Sequence, residues 1–274
     1  MIRPGSFLRL AAAGRARDVG GLPPLVWLLG AFVMFLAPVP GLVLVEALPG
    51  SALGAHDSQP RRAAGQIASY ITAALIGGIM VWLLSARADR SGGRSGLRVR
   101  LGDAPRGLLG LGLTIPFYAV AAAASLWAMH LLGRPTNPVA HKALEPIASG
   151  NATVWDWAII GAAVLGAPIA EELIFRVFLQ SFFASVPRML DGGDGPTRGQ
   201  GTWIAIAFSA ALFAAMHVGT SASDGPVPYY ALPGLFVLGL GLGTAYERTG
   251  RLGVPIVMHA LFNAGNVVLA VVSA

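Results

Sequence analysis

Three ionisable side chains, Glu171, Glu172 and Arg176, interrupt an apolar stretch that runs from about Val154 to Phe183 and otherwise has the composition of a membrane-spanning helix. A charge near the centre of such a helix opposes insertion by roughly 2.5 to 3.5 kcal/mol, so three oppose it by about 8 to 10 kcal/mol. Ionisable residues inside membranes are functional by default. We therefore interpret the cluster as a site for acid–base chemistry, the alternative being a structural charge cluster.

Helical spacing divides the two glutamates between different faces. Glu172 and Arg176 are four residues apart and lie on one face, where the guanidinium reaches the carboxylate. Glu171 is turned about 100° away. We predict that Arg176 neutralises and fixes Glu172, and that Glu171 faces a cavity with a freer proton.

Two other apolar stretches carry histidines in short, regular patterns. Phe213 precedes His217 by four residues, and His259 precedes Asn263 by four, so each pair shares a helical face. Because these groups stand on different stretches of a chain with one buried carboxylate pair, we expect them to converge on that pair. His130, alone near the end of its stretch, is interpreted as a core residue.

The composition indicates a polytopic membrane protein. Of 274 residues, 55% are hydrophobic and 12% are charged, and the mean hydropathy is +0.66. The absence of cysteine excludes disulfides, thiol nucleophiles and cysteine-ligated metal centres. The net charge of +6 comes from arginines in the connections, a pattern that indicates anionic lipid rather than nucleic acid as a partner.

Seven apolar stretches are predicted to span the membrane, at about 25–48, 67–85, 108–132, 154–183, 203–218, 229–246 and 252–272. The predicted fold is all-α, with residues 24–274 forming one membrane domain around a polar cavity and residues 1–23 forming a basic tail. Pro38 and Pro40 are expected to kink the first span. Gly239 and Gly243 have the small-xxx-small spacing that lets two helices approach closely. Residues 191–201 are predicted to be a flexible linker.

Taken together, Glu-Glu-x-x-x-Arg at 171–176, Phe-x-x-x-His at 213–217 and His-x-x-x-Asn at 259–263, in this order on successive spans, resemble the CPBP family of intramembrane proteases. That family includes the CAAX prenyl endopeptidases and bacterial bacteriocin-processing or immunity proteins. The resemblance covers about 161–267 and implies a protease-like core at about 154–272. It also implies hydrolysis of peptide bonds in peptide or membrane-protein substrates.

The resemblance implies a role for each residue of the motifs. Glu171 is the general base, and His217 helps it to hold the attacking water. His259 and Asn263 donate hydrogen bonds to the developing oxyanion. A carboxyl group in a desolvated site is a competent base near neutral pH, so the assignment of Glu171 is chemically reasonable. Glu172 and Arg176 brace the site.

Alternatives to this mechanism remain open on the sequence. Glu171, His217 and His259 are also a possible catalytic zinc set, although the His-Glu-x-x-His signature of soluble zinc proteases is absent. We expect no cofactor and keep Zn²⁺ as the alternative. A non-enzymatic scaffold or immunity protein and a proton-coupled transporter using Glu171 are the rival functions.

The positions of the site residues along their spans present a difficulty. By counting residues, Glu171 lies at mid-membrane, whereas His217 lies near the outer end of its span and His259 near the cytoplasmic end of its own. A helix break at Gly166-Ala-Pro168, a tilt, or a fifth span that continues beyond Val218 would bring the three residues level.

Charge asymmetry generates a prediction about orientation. Arginines dominate the tail and the second connection, which places both in the cytoplasm (Arg3, Arg9, Arg15, Arg17; Arg87, Arg90, Arg94, Arg98, Arg100, Arg106). With seven spans the carboxyl terminus lies outside. Reporter fusions after Gly96 and Ala274 should therefore report opposite sides of the membrane, and fusions reporting the same side would contradict the seven-span topology.

Overall fold

The computed structural model describes residues 22–55, 58–90, 97, 99–134, 144–190, 200–218 and 229–272. The predicted basic tail up to residue 21, most of the connection after residue 90, including Arg94 and Arg98, and the predicted linker at 191–199 lie outside the described residues. In the part that is described, all regular secondary structure is helical, which confirms the predicted all-α class.

Eleven α-helices occur within these ranges, with one π-helical segment and two 3₁₀ turns between them. The α-helices are α1 Pro24–Leu36, α2 Val39–Glu46, α3 Gly50–Leu53, α4 Gln59–Arg90, α5 Ala104–Leu131, α6 Glu145–Ala148, α7 Val154–Glu172, α8 Gln180–Leu190, α9 Gln200–Met216, α10 Leu232–Thr249 and α11 Gly253–Val272. The π-helix, Leu173–Leu179, joins α7 to α8, and the 3₁₀ turns Leu101–Asp103 and Tyr229–Ala231 precede α5 and α10.

Five helical segments in the described ranges are long and apolar enough to cross a membrane: Pro24–Glu46, Gln59–Ser85, Leu101–Leu131, Val154–Val186 and Gly253–Val272. They correspond to the first four predicted spans and the seventh, so the protein is a multi-pass membrane protein. The predicted fifth span contains a shorter apolar helix, Trp203–Met216, and the sixth corresponds to α10. The count of seven therefore stays a prediction.

The first span is interrupted at its prolines, as predicted. Helix α1 ends at Leu36 and α2 begins at Val39, with Pro40 in the first turn of α2, where a missing backbone N–H removes no helical hydrogen bond. The end of α2 is held by Arg61 of α4, which is 2% exposed. Its guanidinium donates to Val45 O at 2.9 Å and Leu48 O at 3.0 Å, and also to the carbonyls of Pro49 and Gly54. These bonds tie the end of α2 and the turn that follows it to α4, in addition to the backbone bonds that Val45 O and Pro49 O accept from Leu48 N and Ala52 N.

The segment that carries the carboxylates forms the centre of the fold. Its most apolar window is 44% buried, whereas the other four spans reach at most 33%. All residues of the π-helix Leu173–Leu179 are buried, and the helix packs against α1, where Trp27 and Met34 line the contact. Apolar side chains on the outer helices are instead exposed, among them Phe117 and Trp82, as expected for a surface that faces lipid.

Small residues bring α10 close to its neighbours. A Cβ on Gly239 would lie 3.0 Å from the Cα of Ala210, and one on Gly243 would lie 3.0 Å from a methyl group of Ile206, so both glycines face α9. This confirms the close helix approach predicted from their spacing. Asp103, 1% exposed, links the start of α5 to the connection between α10 and α11 through an ion pair of 2.6 Å with Arg251.

His130 does not have the environment that we predicted. It stands in the last turn of α5 and is exposed, so it is not a core residue. The prediction was wrong because α5 buries only Gly107 and Thr114 and turns most of its surface outward. An apolar run identifies a span without showing which of its faces other helices cover.

The hydrogen bonds from Arg61 to four backbone carbonyl oxygens lead to a prediction about stability. Arg61→Ala removes the guanidinium hydrogen bonds to four carbonyl oxygens, those of Val45, Leu48, Pro49 and Gly54, and a hydrogen bond to a charged group contributes about 1.5 to 3 kcal/mol. We expect a loss of roughly 3 kcal/mol or more of unfolding free energy, seen as a lower melting temperature in detergent. Arg62→Ala is the matched control because the neighbouring Arg62 is exposed. Equal melting temperatures for the two variants would contradict the role of Arg61.

Candidate active site

An irregular helix presents the two glutamates. Helix α7 is continuous through Pro168 and ends at Glu172, so the break considered at Gly166-Ala-Pro168 does not occur. The irregularity lies just beyond, where the N–H of Gln180 donates to Phe175 O, five residues back, in the π-helical pattern. Phe175 O also accepts from Ser209 Oγ of α9 at 2.7 Å. Short π-helical segments inside α-helices are frequent at functional sites.

Glu172 is fully buried and has a partner on each carboxylate oxygen. Arg176 Nε donates to Oε2 at 3.0 Å, which confirms the predicted ion pair. Oε1 lies 3.0 Å from Nδ1 of His259 on α11, a contact that the sequence did not reveal. When Nδ1 donates to this carboxylate, Nε2 on the other side of the ring faces away from it.

Glu171 lies on the other side of the same imidazole. Its Oε2 is 3.8 Å from His259 Nε2, which is too long for a direct hydrogen bond, and Oε2 has no other partner among the described residues. The Glu171 side chain is 27% exposed, whereas those of Glu172 and Arg176 are fully buried. The ring of His259 therefore lies between a fully paired carboxylate and one whose buried Oε2 has no hydrogen-bond partner among the described residues.

Phe213 contacts both histidines of the site. Its ring is fully buried, with its centroid 4.8 Å from that of His217 and 5.5 Å from that of His259. The guanidinium carbon of Arg176 lies 5.4 Å from the same ring centroid, a cation–π contact. Phe213, which lies in α9 one turn before His217, thus contacts the carboxylate cluster through Arg176 and His259.

His217 is less closely joined to the cluster than we expected. It follows the last residue of α9, is half-buried, and its Nδ1 lies 2.7 Å from Phe213 O. No hydrogen bond or ion pair between His217 and either glutamate or His259 occurs in the described structure. His217 therefore contacts the cluster only through the ring of Phe213 among the contacts of the described residues.

Asn263 reaches α7 at a point away from the carboxylates. Its side-chain N–H donates to Ala163 O at 3.2 Å, two turns before Glu171. A carboxamide has two N–H donors and one carbonyl acceptor, and this bond uses one donor. The structure thus places Asn263 at the same contact between α7 and α11 as His259, but bonded to the backbone.

Tyr70 of α4 is a neighbour of the site that sequence reasoning missed. Its side chain packs on Gly166, where a Cβ would lie 2.7 Å from the Tyr70 Cβ, and the phenol interacts electrostatically with Glu171. A single tyrosine in an apolar span has no pattern that marks it. Only the packing of α4 on α7 shows its position.

The zinc alternative lacks its ligand set. A catalytic zinc site needs three protein ligands at about 2.0 to 2.3 Å from one point. In the described structure, no three His, Asp or Glu side chains are grouped so that they could hold a metal ion. The ring of Phe213 contacts both His217 and His259. The interpretation as a metalloendopeptidase therefore has no support from the arrangement of these residues.

Comparison with known proteins identifies the region that contains this geometry. Residues 153–265 match the family described as type II CAAX prenyl endopeptidase Rce1-like. No curated protein and no solved structure matches the chain. The matched region includes both glutamates, Arg176, both histidines and Asn263, and it agrees with the resemblance drawn from the three motifs. Residues 153–265 of this multi-pass membrane protein therefore form an Rce1-like domain, which agrees with the resemblance to the CPBP family.

Proposed function

We propose that this protein is an intramembrane endopeptidase that hydrolyses peptide bonds of membrane-associated substrates with a water molecule activated by Glu171. One observation carries the proposal: Glu171 Oε2 is buried without a hydrogen-bond partner among the described residues and lies 3.8 Å from His259 Nε2, on a side chain that is 27% exposed. A water molecule or a substrate carbonyl within reach of both atoms would contact a base and a hydrogen-bond donor together. Membership of residues 153–265 in the Rce1-like family supports the reaction class.

Glu171 is the general base in this mechanism. Its carboxylate takes a proton from the water, and the oxygen attacks the carbonyl carbon of the peptide bond to form a tetrahedral oxyanion. The carbon–nitrogen bond then breaks, and the protonated Glu171 returns the proton to the leaving amine. No redox step or covalent intermediate is needed.

His259 stabilises the oxyanion. The Glu172 carboxylate accepts a hydrogen bond from Nδ1 of His259 and so fixes the orientation of the imidazole ring. When the ring is protonated, Nε2 is a donor on the side of Glu171. Asn263, on the next turn of α11, is the second donor that we assign, although its bond to Ala163 O holds the carboxamide two turns of α7 before Glu171. Removing one such preorganised donor typically reduces the rate by about 10²- to 10³-fold.

His217 holds the attacking water or the substrate through Nε2. Its Nδ1 lies at hydrogen-bond distance from Phe213 O, which orients the ring and leaves Nε2 for other partners. Arg176 and Glu172 brace the site, since each neutralises the other at a fully buried position. The chemistry assigned to these residues uses no metal ion.

The two glutamates should respond differently to the same conservative change. Glu171→Gln keeps the shape and removes the base, so cleavage of a peptide library in detergent should fall by about 10²-fold or more while the melting temperature stays near that of the wild type. Glu172→Gln unbalances a buried ion pair, and breaking such pairs typically costs about 3 to 5 kcal/mol, so it should lower the melting temperature as well.

The same pair of variants discriminates between functions. A scaffold or a proton-coupled transporter would show no peptide cleavage that depends on Glu171. Substantial cleavage by Glu171→Gln, or a stable and inactive Glu172→Gln, would contradict the assignment of the base.

Metal independence is a separate prediction. We expect peptide cleavage to survive prolonged treatment with a strong chelator, because the described side chains offer no three-ligand site. Activity before and after chelation, and after addition of Zn²⁺, is the measurement. Loss on chelation with recovery on adding Zn²⁺ would place His217, His259 and a glutamate in ligand roles.

A further inference from the structure

A second buried polar cluster lies around Arg176, beyond its contact with Glu172. Arg176 Nη1 donates to Ser209 Oγ at 3.3 Å, and the fully buried Gln180, one turn after Arg176, donates from Nε2 to Glu247 Oε1 at 2.9 Å and to Gly243 O at 3.3 Å. The cluster therefore joins the segment after α7 to both α9 and α10.

Two atoms of this cluster are buried without a described hydrogen-bond partner. They are Nη2 of Arg176, a donor, and Oε1 of Gln180, an acceptor. Both side chains lie against Gly243, because a Cβ there would be 2.8 Å from Gln180 Oε1 and 3.5 Å from Arg176 Nη1. Leaving such groups unpaired is costly, and buried waters commonly bind where a buried donor and a buried acceptor need partners.

The orientation of the Gln180 amide is determined by its neighbours. The carboxylate of Glu247 and the carbonyl of Gly243 are both acceptors, so the NH₂ group must face them. Rotating the amide by 180° would place its oxygen against two acceptors. Oε1 is therefore the atom left on the other side, where it can accept a hydrogen bond.

We propose that one water molecule binds at Gly243 between Arg176 Nη2 and Gln180 Oε1, and that Gln180 is a positioning residue that acts on the Glu172–His259 pair through Arg176. The hydrogen-bonded chain then runs from Glu247 through Gln180, the water and Arg176 to Glu172. The catalytic part of this inference rests on the proposed peptidase function, whereas the water site does not.

Gly243 suits this role because a side chain would fill the space. A methyl group there would press on Gln180 Oε1 and Ile206. Gly239, one turn earlier on α10, is also closely packed, but the three atoms nearest to a Cβ there all belong to Ala210, the closest at 3.0 Å. The two glycines thus differ in what they face, and they form a matched pair for testing.

The first test compares Gln180→Met with Ser181→Ala. Methionine retains the length of Gln180 and removes both polar atoms. Ser181 is also fully buried and bonds only to Val177 O within its own helix. We expect Gln180→Met to lower kcat about tenfold with KM nearly unchanged, as for an interaction that acts on the transition state, and Ser181→Ala to keep kcat within about twofold. Wild-type kcat in Gln180→Met would overturn the positioning role.

The second test requires no activity. An experimental structure that resolves ordered water should show a water within hydrogen-bond distance of Arg176 and Gln180 in the wild type and in Gly239→Ala, and none there in Gly243→Ala. The losses of melting temperature in Gln180→Met and Arg176→Lys should also sum to more than the loss in the double variant, because the two residues share a partner. Additive losses, or a resolved structure without that water, would overturn the site.

The two proposals fail separately. A protein that shows the water and non-additive stability but cleaves no peptide refutes the peptidase function and leaves the water site standing. A protein whose cleavage depends on Glu171 but is indifferent to Gln180→Met refutes the positioning role alone.

Discussion

The burial of the Glu172 carboxylate is the constraint on which the rest of the structure depends. An ionised carboxylate with no exposure to water is tolerated only when charged or hydrogen-bonding partners replace the lost solvent. Arg176 provides one partner from the same stretch of helix, and His259 provides the other from α11. The need for the second partner fixes α11 against α7 and at the same time orients the imidazole towards Glu171.

Arg176, which neutralises Glu172, is itself buried and needs hydrogen-bonding partners of its own. The guanidinium of Arg176 has more N–H donors than Glu172 uses, and α9 supplies the hydroxyl of Ser209 and the aromatic face of Phe213. The π-helical turn contributes as well, since Phe175 O accepts from both Gln180 N–H and Ser209 Oγ. The buried Glu172–Arg176 pair is thus accompanied by polar or small residues on α9, α10 and α11, namely Ser209, Gly243 and His259. The outer surfaces of the spans are apolar.

The helices outside the Rce1-like region also shape the site. Trp27 of α1 packs against Phe178 of the central segment, with ring centroids 6.4 Å apart, and Tyr70 of α4 lies on Gly166. These contacts cover the segment that follows the glutamates and place a phenol near Glu171. The amino-terminal half, which carries none of the motifs, is therefore part of the environment in which the carboxylates work.

The sequence by itself determined what depends on spacing along one helix. It predicted the all-α membrane fold, the interruption at Pro38, the Glu172–Arg176 pair and the close packing at Gly239 and Gly243, because 3.6-residue periodicity decides which side chains share a face. Only the tertiary structure decided which faces meet. The bond from His259 to Glu172, the attachment of Asn263 to Ala163, the contact of Phe213 with His259 and the exposure of His130 all depend on how separate helices rotate and shift against one another. Apolar periodicity leaves those rotations open, since a lipid-facing surface and a helix-facing surface are equally apolar.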